Sequence, residues 1–281
     1  AGSIGIFLGT KLHSNNNQVN LFGRRKLRDV KETVIINGKK YPVPEKIFNL
    51  PKNEYYDYIF ITSKLYDIEK ILKMISKKRL KTSIFIGIQN GLVDNSVYKN
   101  YLNKKRFVPI CVFGGFRIEK SNLYSNPTSI GWVAPFSKEG IEISKFLSEN
   151  GILCRADKKF ESLRAEKMIV NCCLNALSAI EKKPFKDLFS NKSIKERIFR
   201  LFEECYNILN KDYPLGDFEN MKKRLFENWH SVNHYSSTYQ DAVSGRKSEI
   251  NFFNGFIVKI GKKQGIDAKE NKKNLEDFKK L

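Results

Sequence analysis

Histidine is scarce here, with three in 281 residues. The five cysteines are Cys111, Cys154, Cys172, Cys173 and Cys205, and none forms a C-x-x-C pair. Neither residue type therefore offers the spacing of a zinc site, and no metal is expected. Such cysteines read as reduced, mostly buried thiols of a cytoplasmic protein, packing as small hydrophobes. No run of about 18 apolar residues occurs, so no membrane-spanning helix is expected. The N-terminus lacks a basic region followed by an apolar one, so no signal peptide is read there. Acidic residues are few beside basic ones, 30 against 51, for a net charge of +21. That excess suits nucleic acid, but the lysines are scattered along the whole chain, often as pairs. The longest cationic cluster is Arg24-Arg25-Lys26 with Arg28. A general bias toward Lys, Asn and Ile explains the charge more simply, and no nucleic-acid partner is expected. A positive field does favour an anionic small ligand.

What is present divides in two. In the first half strand-like and helix-like segments alternate. QVNLFG (18–23) reads as a strand, and ETVIINGKKYPV (32–43) as a hairpin turning at Asn-Gly. YDYIFITSK (56–64), TSIFIGIQNG (82–91) and RFVPICVFGG (106–115) read as further strands, with helical stretches after the first two. This alternation predicts a largely parallel sheet with helices on both faces. After a short strand at GILCR the pattern turns helical, over 160–180, 192–210, 217–229 and 247–265. The reading is an α/β domain over 1–157 and an all-α domain over 158–281, without internal repeats or a low-complexity linker.

The chain opens AGSIGIFLGTKL. Gly2 and Gly5, with Ser3 and Ile4 between them, match the end of the G-x-G-x-x-G fingerprint, and a helical pattern follows. In that fingerprint a pyrophosphate meets main-chain N–H groups at a helix N-terminus. The first glycine and the strand before it are missing, so the chain reads as truncated, with two neighbouring strands deprived of a partner. About 20 residues on, where an acid usually reads a free ribose hydroxyl, stand Arg24 and Arg25. They suit a 2′-phosphate, which points to NADPH rather than NADH; the alternative is that they are solvated surface charges.

A second constellation lies in EKMIVNCCLNALSAI (166–180). Lys167, Asn171 and Asn175 recur every four residues and share one stripe of a helix that is otherwise apolar. A buried lysine needs a partner and buried amides need hydrogen bonds. Either the row is an interhelical network, or it faces a cleft in which the lysine protonates a carbonyl oxygen and the amides orient a substrate. Downstream, Ser236 and Ser237 are followed by Asp241 and Glu249. Glu249 precedes an amphipathic run that Ser248 is placed to cap. It is a candidate partner for the lysine, or simply a first-turn acid favoured by the helix dipole.

Taken together these segments resemble the ketopantoate reductase family over nearly the whole chain. The resemblance is carried by A-G-x-x-G, T-S-K at 62–64, Q-N-G at 89–91, K-M-I-V-N-C-C-L-N-A-L-S-A, and S-S-T-Y-Q-D-x-x-x-G-R-K-S-E-I-N-x-x-N-G. It implies a Rossmann-type N-terminal domain and an all-α C-terminal domain, as in 6-phosphogluconate-dehydrogenase-like proteins, with the active site between them. It also implies reduction of 2-dehydropantoate to pantoate by NADPH, on the way to pantothenate and coenzyme A. The expected partner is a small 2-keto acid, without nucleic acid or membrane, in a monomer or homodimer.

Position by position, the resemblance makes Lys167 the general acid and Glu249 the carboxylate that positions it and helps bind substrate and cofactor. Asn171, Asn175 and Ser237 contact substrate, and Asn90 lies near both nicotinamide and substrate. Lys64 lines the cofactor side, Arg24 meets the 2′-phosphate, and Gly2, Ser3, Ile4 and Gly5 form the phosphate loop. Two departures stand out. His234 occupies a position where many members carry Asn, which bears on the keto acid accepted. Ala268-Lys269-Glu270-Asn271 replaces a frequent P-x-N.

Overall fold

In a computed structural model, the structure describes residues 2–23, 30–92, 96–99, 101, 106–119 and 122–281. The chain divides into two compact units, Ala1–Phe160 and Glu161–Leu281. The first is a Rossmann-type α/β unit and the second is all helical. Among the described residues no helix is long and apolar enough to cross a membrane.

In the first unit, helix α1 (Ser3–His13) leads into strand β1 (Asn20–Phe22). The expected hairpin forms from β2 (Thr33–Ile36) and β3 (Lys39–Pro42). Its turn needs a left-handed backbone at both central positions; Asn37 and Gly38 supply it, with φ of 48° and 86°. After β4 (Glu45–Ile47), the strands β5 (Tyr55–Ile61), β6 (Lys81–Ile88) and β7 (Arg106–Glu119) run parallel, β6 between the other two. Between them lie α2 (Ile68–Lys77), opened by a 3₁₀ turn at Leu65–Asp67, and the single turn α3 (Ser96–Lys99). Alternation along β6 sorts the core into two faces. Ile84, Ile86 and Ile88 join α1 and the later helix α4 (Lys138–Glu149) on one side. Phe85 joins Ile68, Leu72 and Ile75 of α2 on the other.

The sheet is less parallel than expected. β7 runs past Gly115 to Glu119 and pairs antiparallel with β8 (Asn122–Pro135), which joins the β2–β3 hairpin and the short β9 (Cys154–Asp157) to the rest. The sequence hid β8 because it breaks the strand pattern with a proline and with Gly131. Gly131 sits at φ +67°, where an added Cβ would strike the Leu153 carbonyl. The sheet is also in two parts. Among the described residues β1 pairs only with β4, and β5 only with β6.

The second unit holds α5 (Phe160–Ile180, whose first residue closes the α/β unit), α6 (Phe185–Ser190), α7 (Lys192–Leu209), α8 (Phe218–Trp229), α9 (Ser237–Val243), α10 (Asn254–Lys263) and α11 (Lys269–Lys279). The expected helix over 247–265 is broken. The Ser248 hydroxyl accepts from Ile250 N at 3.1 Å, but what it opens is a 3₁₀ turn, Ile250–Phe252. α10 starts only at Asn254, whose side chain is drawn inward to other partners. α11 is clamped on α7 by ion pairs of Arg197 with Asp277 (2.9 Å) and Arg200 with Glu270 (2.8 Å). The Glu204 carboxylate accepts from the main-chain N–H groups of Glu270 and Asn271, both at 2.9 Å, satisfying donors in the first turn of α11. All five cysteines are free and buried. Burial pushes the Cys154 thiol up to about 12, and raises the Cys172 and Cys173 thiols well above the ordinary range.

Candidate active site

The polar row on α5 has a definite place. Most of the helix is buried, with Met168, Ile169, Cys172, Cys173, Leu174 and Leu177 no more than 1 % exposed. Leu163, Glu166, Lys167, Val170 and Asn171 are only half-buried, and Glu161 near the start of the helix is exposed. Leu163, Lys167, Val170 and Asn171 recur at intervals of three and four, so they share an open stripe of the helix. Asn175 continues the stripe inward and is 9 % exposed. Its Nδ2 donates to Asn171 Oδ1 at 3.2 Å. That bond fixes which way the Asn171 amide lies, because only its oxygen can accept. Asn171 Nδ2 is then left buried and without a hydrogen-bond partner. A buried amide donor without a partner is costly, and a bound acceptor would remove the cost.

The helix carrying this row is held by main-chain contacts from three sides. The Ser236 hydroxyl donates to Asn175 O at 2.9 Å, and Ser236 N donates to Ser178 Oγ at 3.1 Å. Asn254 Nδ2 donates to Cys172 O at 3.1 Å and to Asn271 Oδ1 at 2.8 Å, and Asn274 Nδ2 reaches the same Cys172 carbonyl at 3.4 Å. Ser178, Asn254, Asn271 and Asn274 were missed by sequence reasoning as anchors. Each is a polar residue at a position that helical periodicity places inside, and that was the available signal. The Asn271 of the departing A-K-E-N segment is fully buried in this network, so the loss of the usual proline leaves the asparagine engaged.

The two adjacent serines separate in role. Ser236 is 2 % exposed and caps α9 by accepting from Tyr239 N at 3.0 Å. Ser237, in the first turn of α9, is exposed. Glu249 is 4 % exposed, just ahead of the 3₁₀ turn. Asp241 is buried and forms an ion pair with Arg246 at 3.0 Å that ties down the end of α9. His234 is exposed, with its ring 6.3 Å from Phe185 and its carbonyl accepting from Phe185 N at 3.0 Å.

The α/β unit carries the residues expected on the cofactor side. Gly2 precedes α1, and nothing lies within 4 Å of where its Cβ would be. α1 has no acidic residue in its first turn and no side-chain cap. Its first N–H groups have no intrahelical acceptors, so this terminus suits an anion. Ser3 and Ile4 are half-buried there and Gly5 is buried, while Ser3 Oγ donates to Phe116 O at 3.3 Å. Lys64 and Asn90 are half-buried, just beyond the C-terminal ends of the parallel strands β5 and β6. Ligands of open α/β sheets bind at that end. Ser63 Oγ, beside Lys64, is buried without a hydrogen-bond partner, a further orphan that a nucleotide would satisfy. On these observations the unit fits a dinucleotide. Arg24 and Arg25 lie outside the described residues. Among the described residues no group of three or more His, Cys, Asp or Glu is arranged to hold a metal.

The likeness to known proteins runs the length of the chain. The 2-dehydropantoate 2-reductase of Archaeoglobus fulgidus is 24 % identical over 97 % of this chain and 92 % of its own. A ketopantoate reductase of the PanE/ApbA family from Ralstonia eutropha JMP134 superposes with a TM-score of 0.86 at 20 % identity, covering 99 % of this chain and 95 % of that one. D-mandelate dehydrogenase with NADH and anilino(oxo)acetate superposes equally well, with a TM-score of 0.86 at 18 % identity and coverage of 99 % and 95 %. Both of these likenesses are of fold. The family pattern described as "Ketopantoate reductase PanE/ApbA" matches residues 1–134, and its C-terminal counterpart, "Ketopantoate reductase PanE/ApbA C terminal", matches 159–276. With both halves matched in order, the chain belongs to the ketopantoate reductase family.

Proposed function

We propose that this protein reduces 2-dehydropantoate to (R)-pantoate with NADPH. The observation that carries the reading is the open stripe of α5. It places Lys167 one turn from an Asn171 amide donor that is buried without a hydrogen-bond partner. Bound at the C-terminal end of the sheet, the reduced nicotinamide supplies the hydride.

The chain's own residues do the rest. Negative charge develops on the ketone oxygen, and protonated Lys167 stabilises it and donates a proton from Nζ. Glu249 orients the lysine and contributes to substrate and cofactor binding. Asn171 Nδ2 and the exposed Ser237 hydroxyl bind the substrate's oxygens, and Asn175 sets the orientation of Asn171. Asn90 serves substrate and nicotinamide, and Lys64 the cofactor side. Gly2, Ser3, Ile4 and Gly5 present main-chain donors to the pyrophosphate. Arg24 meets the 2′-phosphate, which selects NADPH. The active species is a monomer or homodimer in the cytoplasm.

The test is loss of NADPH absorbance on adding ketopantoate. Turnover with ketopantoate supports the reading, and its absence while other 2-keto acids are reduced sinks the substrate assignment. Such an outcome would favour a second reading, reduction of a different 2-keto acid. His234 and the likeness to a mandelate dehydrogenase fold motivate it.

A further inference from the structure

Gln89 folds back across the ends of two strands. Its Nε2 donates to Ile61 O at 2.5 Å and lies 3.4 Å from Ser63 O, so it ties the end of β5 to β6. Its Oε1 accepts from the hydroxyl of Tyr98, in α3, at 2.7 Å. Both carbonyls can only accept, so the amide has one workable orientation and the tyrosine must donate. Tyr98 is 1 % exposed and its ring stacks on Phe107 of β7, with centroids 3.9 Å apart at 23°. Gly87 makes room for the fold-back. A Cβ there would lie 2.9 Å from Gln89 Oε1 and 2.6 Å from the Phe107 ring. A clamp of Gly87, Gln89 and Tyr98, with the half-buried Phe107 behind the tyrosine, therefore links β5 and β6 just beyond their C-terminal ends, where a ligand binds.

What the clamp holds is informative. On one side it fixes the turn Thr62-Ser63-Lys64, and on the other the residue next to Gln89 is Asn90. Within that turn the Ser63 hydroxyl is buried without a partner, although its own carbonyl lies beside the Gln89 amide. A tight, satisfied clamp next to an orphaned hydroxyl is a poor arrangement for stability alone, since the orphan costs free energy. It is the expected arrangement if the hydroxyl waits for a ligand oxygen.

We infer that Ser63 is a further cofactor-binding residue, donating its hydroxyl to an oxygen of the bound dinucleotide, and that Gln89, braced by Tyr98, is the positioning residue that sets both this hydroxyl and Asn90. The inference rests on the dinucleotide reading of this unit.

The experiment is titration of the full chain with NADPH by fluorescence, with steady-state kinetics on Ser63→Ala, Tyr98→Phe and Gln89→Leu. Ser63→Ala removes one hydrogen bond, and Tyr98→Phe removes one hydroxyl while keeping the stacked ring. Each should raise the NADPH Kd roughly 3- to 10-fold. In Ser63→Ala, KM for NADPH should rise while KM for the keto acid stays put, a split that a merely structural role would not produce; in Tyr98→Phe both KM values should rise, because Asn90 loosens with Gln89. Gln89→Leu should weaken NADPH binding further and also lower kcat, because Asn90 loses its support. Variants that bind NADPH as tightly as the wild type and show only a lower Tm overturn the inference while leaving the dinucleotide reading intact. A wild-type chain that binds no NADPH overturns both. Should Gln89→Leu fail to fold, the other two variants decide the matter.

Discussion

The Ser236 hydroxyl donates to the main-chain carbonyl of Asn175, 2.9 Å away, while the side chain of its neighbour Ser237 is exposed. One serine anchors the helix that carries the polar row, and the next, exposed, is the one proposed to meet substrate. Ser236→Ala removes a helix cap and a buried hydrogen bond together, which should cost roughly 1–3 kcal/mol of stability. Ser237→Ala should leave the melting temperature nearly unchanged and raise KM for the keto acid. Thermal melts of both variants beside their KM values test this division. Equal loss of stability in the two would contradict it.

Lys167 and Asn171 lie on the same open stripe but act on different quantities. Lys167→Ala removes the proposed proton donor, and kcat should fall roughly 10²- to 10⁴-fold. NADPH affinity should stay close to wild type, since the lysine is assigned to the ketone. Asn171→Ala removes a buried donor that has no partner in the protein, but also the Oδ1 that accepts from Asn175 Nδ2, so it should cost about 1 kcal/mol of stability. It should also raise KM for the keto acid. Unchanged turnover in Lys167→Ala would sink the assignment of the general acid.

Much of this was legible in the sequence, for reasons that can be named. The Asn37-Gly38 turn, the alternation in TSIFIGI and the four-residue recurrence of Lys167, Asn171 and Asn175 are local signals, and local geometry honours them. What failed to show was decided at long range. β8 is a strand because β7, β2 and β9 pair with it, in spite of its own proline and glycine. α4 was not anticipated, since its sequence carries Gly140 in the first turn. There a Cβ would collide with the Pro135 carbonyl oxygen, and Ser137 Oγ caps the helix by accepting from Gly140 N at 3.1 Å. The expected single helix over 247–265 breaks because Asn254 is pulled toward Cys172 and Asn271, residues distant in sequence. At the candidate site the same rule holds. The row itself was visible, but the sorting of Ser236 from Ser237 and the engagement of Asp241 by Arg246 depend on partners that no spacing reveals.

The clamp of α11 on α7 should be sensitive to acid. Burial alone would raise the Asp277 carboxyl, but hydrogen bonds from Arg197 and Lys280 outweigh it and hold the group below its ordinary value of 3.8. A carboxylate lowered in the folded state contributes stability that is complete above its unfolded value and is lost as pH falls through its folded one. The Asp277 contribution is therefore intact at neutral pH, begins to fall below about pH 4 and is lost as pH passes the lower folded value. Asp277→Asn should cost roughly 1–3 kcal/mol at neutral pH, since Arg197 is only 12 % exposed. It should cost progressively less as pH falls below about 4, and melts of wild type and variant across the acid range measure the convergence. A gap that stays constant with pH would show that the pair does not titrate in this way.

Cofactor choice is the remaining prediction, and it rests on charge. Arg24 and Arg25 follow β1 by two and three residues, where a free ribose hydroxyl would call for an acid. A guanidinium pairs with a phosphate dianion through two parallel hydrogen bonds but gains little from a neutral hydroxyl. NADPH should accordingly outperform NADH in kcat/KM. Arg24→Ala should reduce kcat/KM for NADPH roughly 10- to 100-fold and leave that for NADH within a few fold, because a hydrogen bond to a charged group contributes about 1.5–3 kcal/mol. The discrimination should also weaken as salt is raised, since salt screens charge attraction with a length of about 10 Å at 0.1 M. Equal use of both nucleotides by the wild type would remove the arginines from the cofactor site and leave the pyrophosphate end of the assignment standing alone.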